Sequence, residues 1–501
     1  MSERTDALTS WHDDWSNLRV AVLGLGMTGF SVADTLVELG AEPLVLAGAP
    51  DEDRERILHV LGVRCVIREG LSDVPDELVD FEPELVIASP GFAPHHPIIR
   101  WAREKNLPVW GDIELAWRLR DKLGEPPKWL AVTGTNGKTT VTQMAATMAL
   151  RGGLRAAPCG NIGVPVLDAI RDPQGFDVLV VECSSYQLHS VHTVSPDAAI
   201  VTNIADDHID WHGSADAYVV AKGRIYERTK IACVYNLADE ATRRLVEEAD
   251  VVDGCRAIGV GLGAPGPSDF GIVDGILVDR AFLKERRTSA LEIATMDDLR
   301  ESMLAAPHLV FDVLAAAALV RAIDVPPAAV CEAVRAFRVD RHRNEVVAEI
   351  DGVTFINDSK ATNPHAASAS LSAYESVVWI IGGQLKGVDI GPLIASAATR
   401  VKAAIVIGAE RGEVLDAFSQ HAPNVPLVQV EVADTEQIMP TVVREATRLA
   451  TPGDTVLLAP ASASMDQFAS YSDRGERFVT AVRQAGGQPS EPAPSGDPED
   501  E

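Results

Sequence analysis

The stretch best suited to chemistry runs from Gly134 to Thr140 and contains two glycines, a lysine and three hydroxyl side chains. An apolar run precedes it, and apolar residues at helical spacing follow it. A strand, a turn and a helix in that order gather backbone N–H groups and the positive end of a helix dipole at one point. There Lys138 adds a charge and Thr139 a hydroxyl suited to Mg²⁺. The stretch predicts a loop that binds the phosphates of a nucleotide.

The strict phosphate-loop pattern G-x-x-x-x-G-K-[ST] is not complete, because Val132 occupies the position of its first glycine. The alternative interpretation is an ordinary glycine turn with a lysine that faces solvent. The run of threonine, asparagine and lysine between and after the glycines is more than a turn requires, and it favours the nucleotide site.

Two further groups follow predicted strands and could bind a metal ion. Glu182 ends the apolar run 178–181, and Asp206-Asp207-His208 follow the run 198–202. The carboxyl ends of neighbouring parallel strands meet in one crevice, so Thr139, Glu182 and His208 are expected to converge. Mg²⁺ is the favoured ion because phosphate oxygens would complete its coordination. The alternatives are a helix cap for the aspartates and a core position for His208.

Lys222 lies on a predicted helix, residues 218–227. Near a metal ion an ammonium group is repelled, so an unmodified lysine would contact a phosphate or solvent. A carbamylated lysine would instead be a carboxylate-like metal ligand. Composition leaves both open.

Three strand ends in the last third of the chain carry lysines, hydroxyls or glycines, and they predict a site for a small carboxylate-bearing substrate. Each of them alone is more often a helix cap or a turn, and it is their combination that favours a site. They are residues 358–364, 382–387 and 459–464.

The first strand-to-helix turn carries Gly24-x-Gly26-x-x-Gly29, the pattern of a diphosphate-binding turn. An NAD site would also require an acidic residue about 20 positions later. Ala47-Gly48-Ala49 occupy that place. A different diphosphate ligand and a purely structural turn both remain open.

Length and charge limit the class of protein. A chain of 501 residues is too long for one core. The formal net charge of −29 argues against nucleic acid or acidic lipid as partners.

The six cysteines form no C-x-x-C pair and are expected to be reduced thiols. Neither a signal peptide nor an apolar run of roughly 18 residues is found, so we expect a cytoplasmic protein without membrane insertion.

The alternation of strands and helices predicts an α/β protein of three domains. We expect a Rossmann-like domain over residues 1–123, a central P-loop ATPase-like parallel sheet over 124–339, and a dinucleotide-fold-like domain over 340–485. The tail, residues 486–501, is rich in proline, glycine and acid and is predicted to be disordered.

Several groups of residues together resemble the motifs of the Mur ligase family, in the right order from about Val20 to Val482. They are Thr133–Thr140, Gly160-Asn161-Ile-Gly163, Glu182 with Ser184–Leu188, Asp207-His208, Ala221-Lys222, Asp340–Arg343, Asn357–Asn363, Gly382-Gly383 with Lys386, and Ala463–Phe468.

The resemblance implies an ATP-dependent ligase of peptidoglycan precursor synthesis. It implies that D-glutamate is added to UDP-N-acetylmuramoyl-L-alanine through an acyl phosphate, with release of ADP and phosphate. It also implies two Mg²⁺ sites, and we expect a monomer. A related ligase that adds another amino acid is the nearest alternative. An NAD-dependent dehydrogenase built on Gly24–Gly29 would leave the phosphate loop unexplained. A nucleotide-binding regulator without chemistry would leave Glu182, His208 and Lys222 unexplained.

The resemblance also assigns roles to individual residues. Catalysis is assigned to Lys138, His208, Lys222 and Lys360. Metal binding is assigned to Thr139, Glu182, His208 and, if carbamylated, Lys222. ATP contacts are assigned to Gly134, Thr135, Asn136, Gly137, Lys138, Thr139, Thr140, Asp312, Arg343 and Asp358. Substrate contacts are assigned to Met27, Thr28, Gly91, Asn161, Ser184, Gln187, Thr362, Lys386, Ser464 and Tyr471.

Two departures from the family pattern concern binding. Ala47-Gly48-Ala49 replace the acidic residue that holds uracil. Leu309 and Asp312 replace two asparagines near the adenine.

Overall fold

A computed structural model describes residues 3–432, 434–486 and 488–489. The chain forms two compact units. One comprises the residues up to Ala305 together with Leu309–Phe337, and the other comprises Ala306–His308 and the residues from Arg338 onward. Each is described by itself below.

The first unit begins with a parallel sheet of five strands in the order β3-β2-β1-β4-β5. This order reverses on either side of β1, as in dinucleotide-binding folds. Its strands are β1 (Arg19–Leu23), β2 (Glu42–Ala47), β3 (Arg64–Ile67), β4 (Leu85–Ala88) and β5 (Val109–Trp110). The helices of this part are α1 (Glu3–Ala7), α2 (Met27–Glu38), α3 (Glu52–Val60), α4 (Asp76–Phe81), α5 (Pro97–Glu104) and α6 (Asp112–Leu119).

The same unit contains a nine-stranded sheet in the order β14-β13-β12-β11-β10-β9-β6-β8-β7. The strands from β7 to β12 in this order pair in parallel, whereas β13 pairs antiparallel with both β12 and β14. The strands are β6 (Lys128–Thr133), β7 (Ala156–Gly160), β8 (Val178–Glu182), β9 (Ala198–Val201), β10 (Ala232–Asn236), β11 (Arg256–Val260), β12 (Asp269–Val273), β13 (Ile276–Asp279) and β14 (Leu291–Thr295).

The helices that follow these strands are α7 (Lys138–Arg151), α8 (Val166–Arg171), α9 (Ser185–Leu188), α10 (Ile209–His212), α11 (Ala215–Gly223), α12 (Glu240–Glu247), α13 (Met296–Glu301), α14 (Pro307–Arg321) and α15 (Pro327–Ala336). Helix α14 is buried on almost every side, as expected from its run of alanine, leucine and valine. Residues of the first two sheets share one apolar cluster, which includes Trp15, Trp110 and Trp129.

The second unit contains a seven-stranded sheet in the order β19-β18-β17-β20-β16-β15-β21. Its strands are β15 (Glu345–Ile350), β16 (Val353–Asn357), β17 (Val377–Ile381), β18 (Val401–Val406), β19 (Leu427–Gln429), β20 (Thr455–Leu458) and β21 (Gln488–Pro489). Its helices are α16 (Pro364–Ser372), α17 (Gly391–Ala397), α18 (Gly412–His421), α19 (Thr435–Leu449) and α20 (Tyr471–Gln484). Apolar clusters line both faces of this sheet.

The predicted α/β class with three parallel-sheet domains is confirmed. The domain bounds at 123/124 and 339/340 stay a prediction, although each falls between two of the sheets. The tail predicted to be disordered lies outside the described residues, apart from Gly486 and residues 488–489. Across the described residues, no helix has both the length and the apolar character needed to cross a membrane.

Candidate active site

The predicted phosphate loop connects β6 to α7. Gly134 has a φ of +149°, and a Cβ built there would lie 1.9 Å from Thr202 Oγ1. Gly137 has a φ of +80° and caps α7. Both positions combine a backbone conformation that side chains disfavour with a near neighbour, so the loop requires glycine at each end.

Lys138 folds back over this loop. Its Nζ donates to the carbonyl oxygens of Gly134 and Thr135, each at 2.9 Å. The ammonium group is therefore held above the loop by the chain itself. The next two residues, Thr139 and Thr140, are buried at the start of α7.

Residues that follow β9 hold the other side of the loop. Asn136 donates its backbone N–H to Asn203 Oδ1 at 2.9 Å. The Asn136 carbonyl accepts from Thr202 Oγ1 at 2.6 Å and from Asn203 Nδ2 at 3.1 Å. Sequence reasoning missed Thr202 and Asn203. Their position directly after a predicted strand beside the loop was the available signal.

Glu182 ends β8, in register with Val132 on one side and Gly160 on the other. Its side chain is almost completely buried. Oε1 accepts from Asn161 Nδ2 at 2.8 Å, whereas the buried Oε2 has no hydrogen-bond partner among the described residues. An unpartnered carboxylate oxygen is costly to bury, so this atom fits contact with a cation.

Lys222 reaches the same loop from α11. Its buried Nζ donates to the Gly134 carbonyl at 2.7 Å and lies 3.4 Å from Thr133 Oγ1. Burial, and then the charge of Lys138, lower the pKa of Lys222 well below its ordinary value. Asp207 and Glu182 act in the opposite direction. The pKa of Lys222 is thus influenced by Lys138, the lysine predicted to bind phosphate, and by Glu182, a predicted metal ligand.

His208 adopts the left-handed conformation, with a φ of +52°, just before α10. A hydrogen bond of 2.6 Å joins its Nδ1 to the hydroxyl of Tyr186, and its Nε2 lies 3.5 Å from Asp207 Oδ2. The Tyr186 ring stacks on Trp211 with 4.5 Å between centroids. Burial raises the pKa of Tyr186, which keeps the hydroxyl protonated. Tyr186 therefore orients the imidazole, a role that sequence reasoning missed.

Ser184 and Gln187, both predicted to contact substrate, form a capping box at α9. The Gln187 Oε1 accepts from the Ser184 backbone at 2.9 Å, and Nε2 donates to Asp112 Oδ2 at 2.9 Å. Burial raises the pKa of Asp112 to about 6. The structure thus gives both residues a role in shaping the turn after Glu182, and their contact with substrate stays a prediction.

The remaining predicted ligands of the first unit lie on α14, at the start of α2 and after β4. Asp312 is buried on α14, and its Oδ1 would be 2.6 Å from a Cβ on Gly137. Met27 is exposed at the start of α2, and Gly91 is exposed after β4. The first carboxylate after β2 belongs to Asp51, which caps α3 by accepting from the Arg54 backbone at 3.1 Å.

The second unit holds another group of predicted site residues at the ends of its strands. Asp358 is buried, accepts from the Asn344 backbone at 3.2 Å and from the Ser370 hydroxyl, and has a pKa raised by burial. The Lys360 ammonium lies 3.7 Å from the centroid of the Tyr471 ring. Burial alone would raise the pKa of Tyr471, but the charge of Lys360 helps to bring it below its ordinary value.

Arg474, which sequence reasoning also missed, connects two of these strand ends. It is completely buried on α20 and donates to Ser359 Oγ at 2.9 Å and to the Ser462 carbonyl at 3.2 Å. Burial lowers its pKa to about 9. The arginine thereby joins the loop of Lys360 and Thr362 to the loop of the buried Ser464. Lys386 lies on a third strand end, with a φ of +53°.

The first unit therefore brings together the phosphate loop, Lys138, Lys222 and Glu182, with His208 on the segment that follows β9. In the part of the chain that the structure describes, no three His, Cys, Asp or Glu side chains form a ready-made metal site. A parallel α/β sheet with such a loop and such a carboxylate defines a nucleotide-binding enzyme of the P-loop class.

Comparisons with known proteins narrow this class. The Mur ligase middle domain matches residues 132–320, and the Mur ligase glutamate ligase domain matches residues 342–462. The UDP-N-acetylmuramoylalanine–D-glutamate ligase of Leifsonia xyli subsp. xyli is 58% identical over 96% of this chain and 95% of its own length. The protein of the same name from Streptomyces avermitilis is 50% identical over 94% of this chain and 99% of its own length.

Solved structures share the fold. The UDP-N-acetylmuramate–alanine ligase of Thermotoga maritima superposes with a TM-score of 0.54 at 20% identity, over 93% of this chain and 99% of that one. A pseudomurein peptide ligase type C from Methanothermus fervidus gives 0.55 at 15% identity, over 93% and 99%. The chain belongs to the Mur ligase family. It is accordingly an ATP-dependent ligase that forms an amide bond between an acid and an amino acid.

Proposed function

We propose that this ligase joins D-glutamate to the alanyl carboxylate of UDP-N-acetylmuramoyl-L-alanine in peptidoglycan precursor synthesis. The observation that carries the choice of substrates is the 58% identity, over 96% of the chain, to a ligase named for that reaction. A carboxylate is unreactive toward an amine in water, so it must first acquire a leaving group. The carboxylate takes the γ-phosphoryl group of ATP and becomes an acyl phosphate, and ADP is released. The amine of D-glutamate then attacks the acyl carbon, loses a proton, and displaces phosphate.

The phosphate loop positions ATP for the first step. The backbone N–H groups in the first turn of α7, residues 138–140, bind the β- and γ-phosphates, whereas those of Thr135 and Asn136 donate to Asn203. Lys138, held over the loop by two carbonyl oxygens, neutralises the charge that builds up during phosphoryl transfer. Asp312, against Gly137, is assigned a contact with the nucleotide.

We assign Mg²⁺ to the buried end of β8. The Oε2 of Glu182, which lacks a hydrogen-bond partner among the described residues, and the hydroxyl of Thr139 would hold one ion. His208 and a carbamylated Lys222 would hold a second. When bound, these ions neutralise negative charge on the phosphate and carboxylate oxygens. Asn161 fixes the orientation of Glu182 through its 2.8 Å bond to Oε1.

Lys222 is suited to carbamylation. Its lowered pKa leaves a larger fraction of the side chain as the neutral amine, which attacks CO₂ to give a carbamate and a proton. The carbamate is an anion, so it removes the repulsion between Lys222 and Lys138 and converts an unfavourable buried cation into a metal ligand.

We assign D-glutamate to the strand ends of the second unit. Thr362, Lys386, Ser464 and Tyr471 supply the hydroxyls and the ammonium that two carboxylates require. The Arg474 bridge between Ser359 and Ser462 supports this assignment because it fixes the loops that carry Thr362 and Ser464. Lys360 is assigned to the acyl phosphate, and Arg343 and Asp358 to ATP.

We assign the uridine end of the other substrate to Met27, Thr28 and Gly91, the sugar to Asn161, and further substrate contacts to Ser184 and Gln187. A Cβ on Gly29 would lie 2.0 Å from the Gly24 carbonyl oxygen, so this tight turn requires glycine. The turn supports the assignment because a diphosphate can approach its backbone closely. No carboxylate is available at the end of β2 for the uracil, because Asp51 caps α3.

We further propose that the protein acts in the cytoplasm as a monomer. ATP is a cytoplasmic substrate.

Phosphate release from ATP tests the proposed reaction. We expect release to require both UDP-N-acetylmuramoyl-L-alanine and D-glutamate, because the acyl phosphate turns over only when an amine consumes it. L-Lysine and diaminopimelate are the controls. Release with either of these in place of D-glutamate would reassign the enzyme within its family, and release without any acceptor would contradict the proposed coupling.

A further inference from the structure

Two cysteines that are far apart in the sequence lie side by side in the nine-stranded sheet. Cys233 is buried in β10, and Cys255 is half-buried in the turn before β11. Their sulfur atoms are 3.8 Å apart. Within the described residues no other pair of cysteine sulfurs makes such a contact.

The backbone on both sides of the pair is fixed. The Val252 N–H donates to the Thr229 carbonyl at 3.1 Å, and the Arg256 N–H donates to the Ile231 carbonyl at 3.0 Å. Ala232 and Arg256 are register partners on the parallel strands. A disulfide requires the two sulfur atoms to approach from 3.8 Å to about 2.0 Å. Cys233 is the register partner of Ala257, so Cys255 reaches it from a position two residues earlier on the neighbouring segment.

The two thiols are not equivalent. Cys255 is the more accessible, and its pKa is lowered, first by the hydrogen bond from the Cys233 thiol and also by backbone N–H groups, although burial opposes this. The pKa of Cys233 is raised by that same hydrogen bond and by burial. The thiolate is the nucleophilic form of cysteine, so Cys255 reacts first and Cys233 second.

We propose that Cys233 and Cys255 form a modification site at which hydroperoxides convert the two thiols into a reversible disulfide. The Cys255 thiolate attacks one peroxide oxygen, which breaks the O–O bond, gives a sulfenic acid and releases hydroxide when the peroxide is H₂O₂. The Cys233 thiol then attacks the sulfenic sulfur, forms the S–S bond and releases water. Each disulfide consumes one peroxide, which is reduced by two electrons.

The test is oxidation of the whole folded protein with H₂O₂, followed by alkylation, non-reducing digestion and mass spectrometry. We expect two of the six thiols to be lost and the peptides of Cys233 and Cys255 to be joined, with the mass of two hydrogens missing. Dithiothreitol should restore all six. Cys65 and Cys331 are also half-buried and serve as internal controls that should stay unpaired.

Two variants separate the roles of the sulfurs. In Cys233→Ser the sulfenic acid of Cys255 has no partner, so dimedone should label it. In Cys255→Ser neither a disulfide nor a dimedone adduct should form at Cys233. Cys331→Ser is the matched control and should keep the disulfide. An intact count of six thiols in oxidised wild type, a disulfide to any other cysteine, or dimedone labelling of Cys233 in Cys255→Ser would each overturn the proposal.

Discussion

Two lysine side chains share one backbone carbonyl in this protein. Lys138 Nζ and Lys222 Nζ donate to the Gly134 oxygen at 2.9 Å and 2.7 Å. Two ammonium groups so close to a common point repel each other, and the more deeply buried one is the easier to neutralise. Burial first, and the charge of Lys138 second, lower the pKa of Lys222. A lysine with a purely structural role would not need to lie beside a second ammonium group. We therefore connect the position of Lys222 with the reaction.

Replacing Lys222 should therefore abolish turnover. We expect Lys222→Ala to lose phosphate release by at least about 100-fold, since a charged group at the reacting phosphates is removed. Added formate or acetate should restore part of the rate by supplying a carboxylate in the vacated space. The measurement is phosphate release with and without the acid. Lys284→Ala, at an exposed lysine, is the control.

Full activity of Lys222→Ala would defeat the role of this side chain in metal binding. A loss of activity with no response to short acids would favour a purely structural role of the ammonium at the Gly134 carbonyl.

A glycine in the left-handed conformation flanks each end of helix α7, and the two glycines differ in their surroundings. Gly137, at the start, has a φ of +80° and would place a Cβ 2.6 Å from Asp312 Oδ1. Gly153, past the end, has a φ of +82° and nothing within 4 Å. The pair therefore separates the cost of backbone conformation from the crowding of the nucleotide site.

We expect Gly137→Ala and Gly153→Ala to destabilise the fold by similar amounts, about 1–2 kcal/mol, because both force alanine into the left-handed region. Only Gly137→Ala displaces Asp312 and the phosphate loop, so it alone should raise KM for ATP, by about 10-fold or more. Urea denaturation and ATP titration of the two variants give the comparison. Equal KM values would show that the contact with Asp312 is unimportant for ATP.

The elements show what the sequence could and could not predict. Gly134, Lys138 and Glu182 were predictable because each depends on its own strand and the residue that follows it. Asn203 follows a predicted strand, but its pairing with the phosphate loop depends on the order β9-β6-β8, which local patterns do not give. Asp112 was missed because its partner Gln187 follows a strand of another sheet. Arg474 was missed for a similar reason, since the hydroxyl of Ser359 and the carbonyl of Ser462, to which it donates, lie 115 and 12 residues away.

In the whole molecule, a buried carboxylate helps to connect the first two sheets. Asp112 starts the helix after β5, and its Oδ2 accepts from Gln187, which belongs to the turn after Glu182. Its other oxygen has no hydrogen-bond partner among the described residues. Hydrogen bonds therefore offset only part of the cost of burying the Asp112 carboxylate, and this explains its raised pKa.

The stability of the first unit should depend on pH through Asp112. Its folded-state pKa of about 6 lies above the ordinary 3.8, so between these values the native state binds more protons than the unfolded state. This contribution to the free energy of unfolding is lost as pH rises through that window, by up to about 3 kcal/mol. Asp112→Asn keeps the acceptor for Gln187 without the charge, so its stability relative to wild type should increase from pH 4 to pH 7.

Denaturation followed by tryptophan fluorescence measures this, because seven of the eight tryptophans lie in the first unit. Asp73→Asn, at an exposed aspartate, is the control and should show no such trend. A constant difference between Asp112→Asn and wild type over the same range would contradict the assignment.

The two bonds that hold Lys138 over its loop have a consequence for affinity. A flexible lysine loses about 2 kcal/mol of rotamer entropy when it is confined. In this protein much of that loss is incurred when the chain folds, since Nζ is already confined by Gly134 and Thr135. Nucleotide binding should then carry a smaller entropic penalty at this residue, and more of the attraction between ammonium and phosphate should be expressed as affinity.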